Sequence, residues 1–175
     1  MQTITLRLKL HRPTLAKQRL YREMTERTTA LANNLVAAGR PKRLTSKTAA
    51  PYLVAPIPSA VVNQALRDVT VAKRVERFRV LSPSFNNQNL RIEKAGDFWT
   101  VSFPTHAGRV RVPVAATPKQ CEYLSRLGES VKQGAPSCTR SGTAGISPYP
   151  SPSKPCRARA IGWRVSIWVY AISQL

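Results

Sequence analysis

An α+β fold follows from three patterns in this chain. Residues 3–10 (TITLRLKL) and the block 84–114 alternate with a period of two, as half-buried strands do. Two stretches between them space their apolar residues at helical intervals. Proline, glycine and capping residues separate these segments from one another.

The first strand places Ile4, Leu6, Leu8 and Leu10 on one face and Thr3, Thr5, Arg7 and Lys9 on the other. Such a face suits a solvated sheet surface or one turned to phosphate. Pro13 and Thr14 then open a helix with Thr14 as N-cap. Leu20, Met24, Leu31 and Leu35 form its core stripe, and Gly39 ends it. Residues 40–58 are broken by Pro41, Pro51, Pro56 and Pro58, and open on the basic cluster Arg40, Pro41, Lys42, Arg43. Ser59 is expected to cap a second helix whose buried stripe is Val62, Leu66, Val69 and Ala72. Four cations, Lys73, Arg74, Arg77 and Arg79, follow within seven residues of one another. They complement the helix dipole, but exceed what a helix end needs, so phosphate contact is the favoured role.

Three strands come next. Leu90 and Ile92 alternate with Arg91 and Glu93, and Ala95-Gly96-Asp97 makes a turn. Trp99, Val101 and Phe103 share one face of the second strand, with Phe98, Thr100 and Ser102 on the other. In the third, Val110, Val112 and Val114 point inward while Arg109 and Arg111 point outward. Thr117, Pro118 and Gln120 make a capping box for a short helix closed by Gly128. Beyond about residue 133 acids are absent and Ser, Pro, Gly, Thr and Arg dominate, a composition that does not fold alone. The last fifteen residues contain one further alternating run, Trp163, Val165, Ile167 and Val169, with no evident strand to pair with.

Charge bounds the function. The chain has 175 residues, 28 Lys and Arg against 8 Asp and Glu, and a formal net charge of +20. Such an excess repels itself unless a polyanion screens it, and nucleic acid gains affinity through counterion release. Cys121, Cys138 and Cys156 are widely spaced, and His11 and His106 are isolated, so neither zinc ligation nor a disulfide framework is expected. A reducing cytosol is the default compartment, without signal peptide. The apolar run at 161–175 is interrupted by Arg164 and is shorter than the ~20 residues of a membrane span. Metal-dependent phosphodiester cleavage needs clustered carboxylates, and the eight acids are scattered. No Walker loop or GxSxG occurs. No cofactor is expected, nor enzymatic activity. A binding surface remains. Asn86, Asn87, Gln88 and Asn89 precede a strand, where amides can read base edges or serve as ordinary loop residues.

In their order these segments resemble the TnpB family, transposon-encoded RNA-guided DNA endonucleases often described as OrfB-type transposases. TITLRLKL opens the chain, a long helix follows, and IPSAVVNQALRDV (57–69) looks like the family's second conserved helical segment. FNNQNLRI (85–92) and GRVRVPV (108–114) look like its strand pair. The resemblance covers about residues 1–130. It implies a wedge-type (OB-like) β-barrel with an inserted helical recognition domain: first strand at 1–12, helical insertion at 13–80, remaining strands and a short helix at 81–132. It implies guide-like RNA and DNA as partners, no membrane, and a prokaryotic cytosol or nucleoid as location. Ser59, Asn63, Asn86 and Asn87 match the family's readers of a short DNA motif.

The family's nuclease half starts on a strand carrying Gly-Val/Ile-Asp. Here Ile161-Gly162 is followed by Trp163 and Arg164, and the metal-binding carboxylates have no counterpart. The expectation is a nucleic-acid-binding N-terminal part of a TnpB-like protein, its nuclease missing and its irregular tail at 133–175 disordered or read in a shifted frame. A non-functional remnant and a basic RNA-binding structural or regulatory protein are the alternatives.

Overall fold

A computed structural model describes residues 2–85, 88–126, 131–133, 137–141 and 162–171. The fold is α+β, with strand β1 (Gln2–Leu10), helices α1 (Leu15–Ala37) and α2 (Ser59–Val71), strands β2 (Arg91–Ala95), β3 (Phe98–Thr105) and β4 (Gly108–Ala115), helix α3 (Pro118–Ser125), and strands β5 (Val131–Gln133), β6 (Ser137–Ser141) and β7 (Gly162–Ala171). A short 3-10 turn, Ala50–Tyr52, lies in the loop between α1 and α2.

The strands form one antiparallel sheet in the order β2-β3-β4-β1-β7-β5, with β6 also paired to β7. Among the described residues this sheet is open, with β2 and β5 at the two ends of the order. Local chemistry fixes both hairpins. The first is a two-residue loop, Gly96-Asp97, closed by the Ala95–Phe98 pair, and Gly96 takes φ +60 where a Cβ would strain the backbone. In the second, Thr105 pairs with Gly108, and the Thr105 hydroxyl donates to the Gly108 carbonyl at 2.7 Å.

α1 begins where expected, with the Thr14 hydroxyl accepting from the Lys17 amide. It ends in a Schellman motif: Gly39, at φ +74, donates to the Val36 carbonyl and Arg40 to the Leu35 carbonyl. Its buried stripe is Tyr21, Met24, Thr28, Leu31, Ala32 and Leu35, so Tyr21 rather than Leu20 occupies the first core position. Thr28 is tolerated inside because its hydroxyl donates to the Met24 carbonyl at 2.7 Å. α2 starts at Ser59 itself, one residue earlier than a Ser59 cap requires; Pro58 is the cap and makes no side-chain bond. Val61, Val62, Ala65 and Val69 are its buried residues, while Leu66 packs at the margin.

The core has two lobes joined along α1. Leu6, Leu8 and Leu10 of β1, Val101 and Phe103 of β3, Val112 and Val114 of β4, and Tyr21 and Met24 of α1 make the sheet-side lobe. The Phe103 ring sits 5.5 Å from Tyr21 and 5.1 Å from Phe85, centroid to centroid. The helix-side lobe joins Leu31, Ala32 and Leu35 to Val62, Ala65 and Val69. Each large apolar side chain buried here contributes about 1.5–3 kcal/mol.

The expectation of an irregular tail is corrected in part. Residues 131–133, 137–141 and 162–171 lie in strands, and β7 runs beside β1 from Gln2↔Ala171 to Lys9↔Arg164. Leu8 stands opposite Val165 and Leu6 opposite Ile167, so the alternating run that lacked a partner in sequence finds one in β1. The physical reason is edge satisfaction: β7 lies along the edge of β1 opposite β4, where the amides and carbonyls of β1 would otherwise have no strand to pair with. The rest of the expected tail, 134–136, 142–161 and 172–175, lies outside the described residues.

Candidate nucleic-acid interface

The core face of the sheet fixes what its other face presents. Leu10 pairs with Val114 and both are buried, so the neighbouring pair Lys9↔Ala115 points away from the core. Arg7 on β1 and Arg109 and Arg111 on β4 share that outer face and are exposed. Arg91 joins them, because Arg91 pairs with Ser102 and Ser102 with Arg111. The helices hold this arrangement in place. The Gln120 amide, after completing the expected capping box with Thr117, donates to the Arg7 carbonyl at 3.1 Å. Lys17 of α1 donates to the Arg111 carbonyl at 2.7 Å, on the stretch of β4 that β1 does not reach.

Two of these cations already have partners. Arg111 donates to the Glu93 carboxylate at 2.6 Å in an exposed ion pair. Arg109 donates to the carbonyl and hydroxyl of Ser102 at 3.2 and 3.1 Å, and Ser102 is buried. An exposed ion pair contributes little to stability and exchanges its partner readily, so phosphate can compete for Arg111.

A second basic surface lies at the far end of the helices. Arg27 donates to the Pro56 carbonyl before α2, and Arg40 donates to the carbonyls of Ala72 and Val75 after it. The two helices therefore run parallel, with both C-termini at one end. Lys42, Arg43, Lys73 and Arg74 are exposed there, where cations complement the negative ends of both dipoles. Arg40 is the exception among the expected ligands of phosphate: its guanidinium is held by those carbonyls, and its Nε is buried. Asp68, one turn before the end of α2, has its carboxyl raised above the ordinary value by desolvation, opposed by a hydrogen bond from Gln64.

Arg77 and Arg79 are exposed on either side of Phe78, in an irregular segment that is tied to α1. Asn33 donates to the Phe78 carbonyl at 3.1 Å and accepts from its amide at 2.8 Å, and the Leu81 amide donates to Thr29. Between the segment and α1 lies a groove of about 620 Å³ bordered by both arginines and by Glu26.

Ser59 and Asn63 are exposed one helical turn apart on α2. The Asn63 side-chain oxygen accepts from the Ser46 amide at 3.1 Å, so bidentate pairing with a base edge requires that bond to open. Asn86 and Asn87 lie outside the described residues. The outer face of the sheet also holds what the sequence pattern did not single out, Arg91 and the half-exposed Phe98. Their signal was present in the alternation of β2 and β3.

These positions make the molecule an α+β protein with one basic sheet face and one basic helix end. Among the described residues no group of His, Cys, Asp and Glu is placed to hold a metal ion, and no helix is long and apolar enough to cross a membrane. No family model matches the chain, and no curated protein matches it.

Proposed function

We propose that this chain binds nucleic acid through the outer face of its sheet and the C-terminal end of its helical pair. The observation that carries the reading is the convergence of Arg7, Lys9, Arg91, Arg109 and Arg111 from three strands onto one face, in a chain of net charge +20. α1, about 35 Å long, packs on the core face of the sheet near its start and ends at the second surface. One ligand held by both is therefore extended, as a structured RNA is.

Within that reading we place the chain as a TnpB-like, nuclease-free binding part in the prokaryotic cytosol or nucleoid. Its partners are then a guide-like RNA and a short DNA motif, and the sheet corresponds to a wedge-type, OB-like barrel. The order of elements supports this: a basic first strand, two helices over 15–71, then a strand block over 91–115.

Affinity for labelled RNA and DNA, measured against salt concentration, tests the reading. A steep negative dependence of log K on log salt is expected. Changing Arg7, Lys9, Arg109 and Arg111 together to Ala should flatten the slope by roughly 0.7–0.9 for each phosphate no longer neutralised. A slope unchanged by that variant refutes the sheet face as the interface. RNA co-purified with the chain separates the roles: a transposon-end transcript supports the TnpB-like role, whereas ribosomal RNA favours a basic structural protein.

A further inference from the structure

Phe98 opens β3 on the outer face of the sheet and is 51% exposed. A single exposed apolar residue is ordinary on a protein surface. Phe98 differs from the other large exposed apolar residues, Leu15, Val54, Val71 and Val80, in being aromatic and in its surroundings. It borders a groove of about 330 Å³ with His11, Pro113 and Val114, at the small end of the ~300–1,000 Å³ range of ligand pockets. His11 is fixed there by its amide, which donates to the Pro113 carbonyl at 2.8 Å.

Cations lie further along the face on which Phe98 stands. One residue beyond the Trp99↔Val114 pair, Phe98 comes abreast of Ala115, and Ala115 pairs with Lys9. Adjacent strands lie ~4.8 Å apart, which puts Lys9 about 10 Å across the sheet from Phe98. Arg111 lies further along the same face of β4. An exposed aromatic ring with a groove beside it, on a face that carries cations, matches the chemistry of an unpaired nucleotide: a π-face to stack and phosphates to neutralise. A duplex hides its base faces and gives such a ring nothing to stack on.

Building on the nucleic-acid reading above, we propose that the Phe98 groove holds an unpaired base of a single-stranded segment, stacked on the Phe98 ring, with the adjoining phosphates on the sheet-face cations. The sheet face thereby distinguishes single strands from duplex.

The test uses the full chain and fluorescence anisotropy with oligo-uridine, oligo-thymidine and a duplex, each across the same series of salt concentrations. Phe98→Ala should weaken single-strand binding by roughly 5- to 150-fold, the range for loss of one base–aromatic stack. Phe98→Trp should retain it. The salt slope of Phe98→Ala should match that of the unaltered chain, because stacking neutralises no phosphate. Photocrosslinking of 5-iodouridine oligomers should map to residue 98. If the unaltered chain binds with steep salt dependence and Phe98→Ala is indistinguishable from it, stacking is refuted while the nucleic-acid reading stands. If the unaltered chain shows no salt-dependent affinity for any of these probes, both fail. Loss of self-association in Phe98→Ala, with oligonucleotide binding unchanged, makes the ring a protein contact and overturns the proposal.

Discussion

The guanidinium of Arg40 lies against the end of α2, donating to the Ala72 and Val75 carbonyls. The Ala72 carbonyl belongs to the C-cap of α2 and the Val75 carbonyl to the turn just after it, and a cation there also meets the negative end of the dipole. The backbone of Arg40 takes φ +55, inside the left-handed region, directly after the left-handed Gly39. Arg40 thus clamps the C-terminus of α1 to that of α2, whereas Lys42 and Arg43 beside it stay exposed. Arg40→Ala is expected to cost about 1.5–3 kcal/mol, the usual worth of hydrogen bonds to a charged group. Arg40→Gly should cost less, since glycine relieves a left-handed backbone worth about 1–2 kcal/mol. Urea denaturation of the two variants checks the order. Unchanged stability together with weakened RNA binding would instead make Arg40 a ligand contact.

Between α1 and the segment after α2, one side chain stands in for a strand. Asn33 exchanges a reciprocal pair of hydrogen bonds with Phe78, much as two paired residues of a sheet would. Thr29 adds the bond from the Leu81 amide at 2.9 Å. This fixes Arg77 and Arg79 to α1 although no regular element contains them. Asn33→Ala should release the segment at a cost of about 1–3 kcal/mol, because both Phe78 backbone groups are left without a partner. Asn33→Asp keeps the acceptor for the Phe78 amide and loses only the donor, so it should cost less. Amide exchange at Phe78 and Leu81 reads the effect directly, and unchanged exchange in Asn33→Ala would show that packing of Phe78 alone holds the segment. Sequence pattern could not reach this contact: Arg77, Phe78, Arg79 and Val80 alternate like a strand, and nothing local says that a helix is what they meet. What was legible was local. Period-two alternation located β1, β3 and β4, the hydroxyl of Thr14 capped α1, and Thr117 with Gln120 capped α3. The outward arginines of β4 were legible for the same reason, since alternation fixes a face. The role of Arg40 was hidden because its partners lie 32 and 35 residues further on.

The largest such gap spans the whole molecule, from β1 to β7. β1 takes its ladder from β7 over Gln2 to Lys9 and from β4 only at Lys9 and Leu10. The strand presenting Arg7 and Lys9 therefore depends on residues 162–171 for most of its backbone pairing. Loss of that pairing leaves unpaired amides and carbonyls beside Leu6 and Leu8, which are buried in the sheet-side core. A chain ending at Arg126 should accordingly lose hydrogen-exchange protection at the β1 amides that face β7, and should associate with rising concentration through the exposed edge. Ile167→Pro provides the same test without shortening the chain, since proline removes a ladder donor in mid-strand. Both changes should also reduce the salt slope for single-stranded RNA, by roughly 1.4 if Arg7 and Lys9 each neutralise one phosphate. Protection of β1 that survives the truncation would show that β4 and the core hold the strand by themselves. In that event the basic face stands without the tail, and the slope should stay where it was.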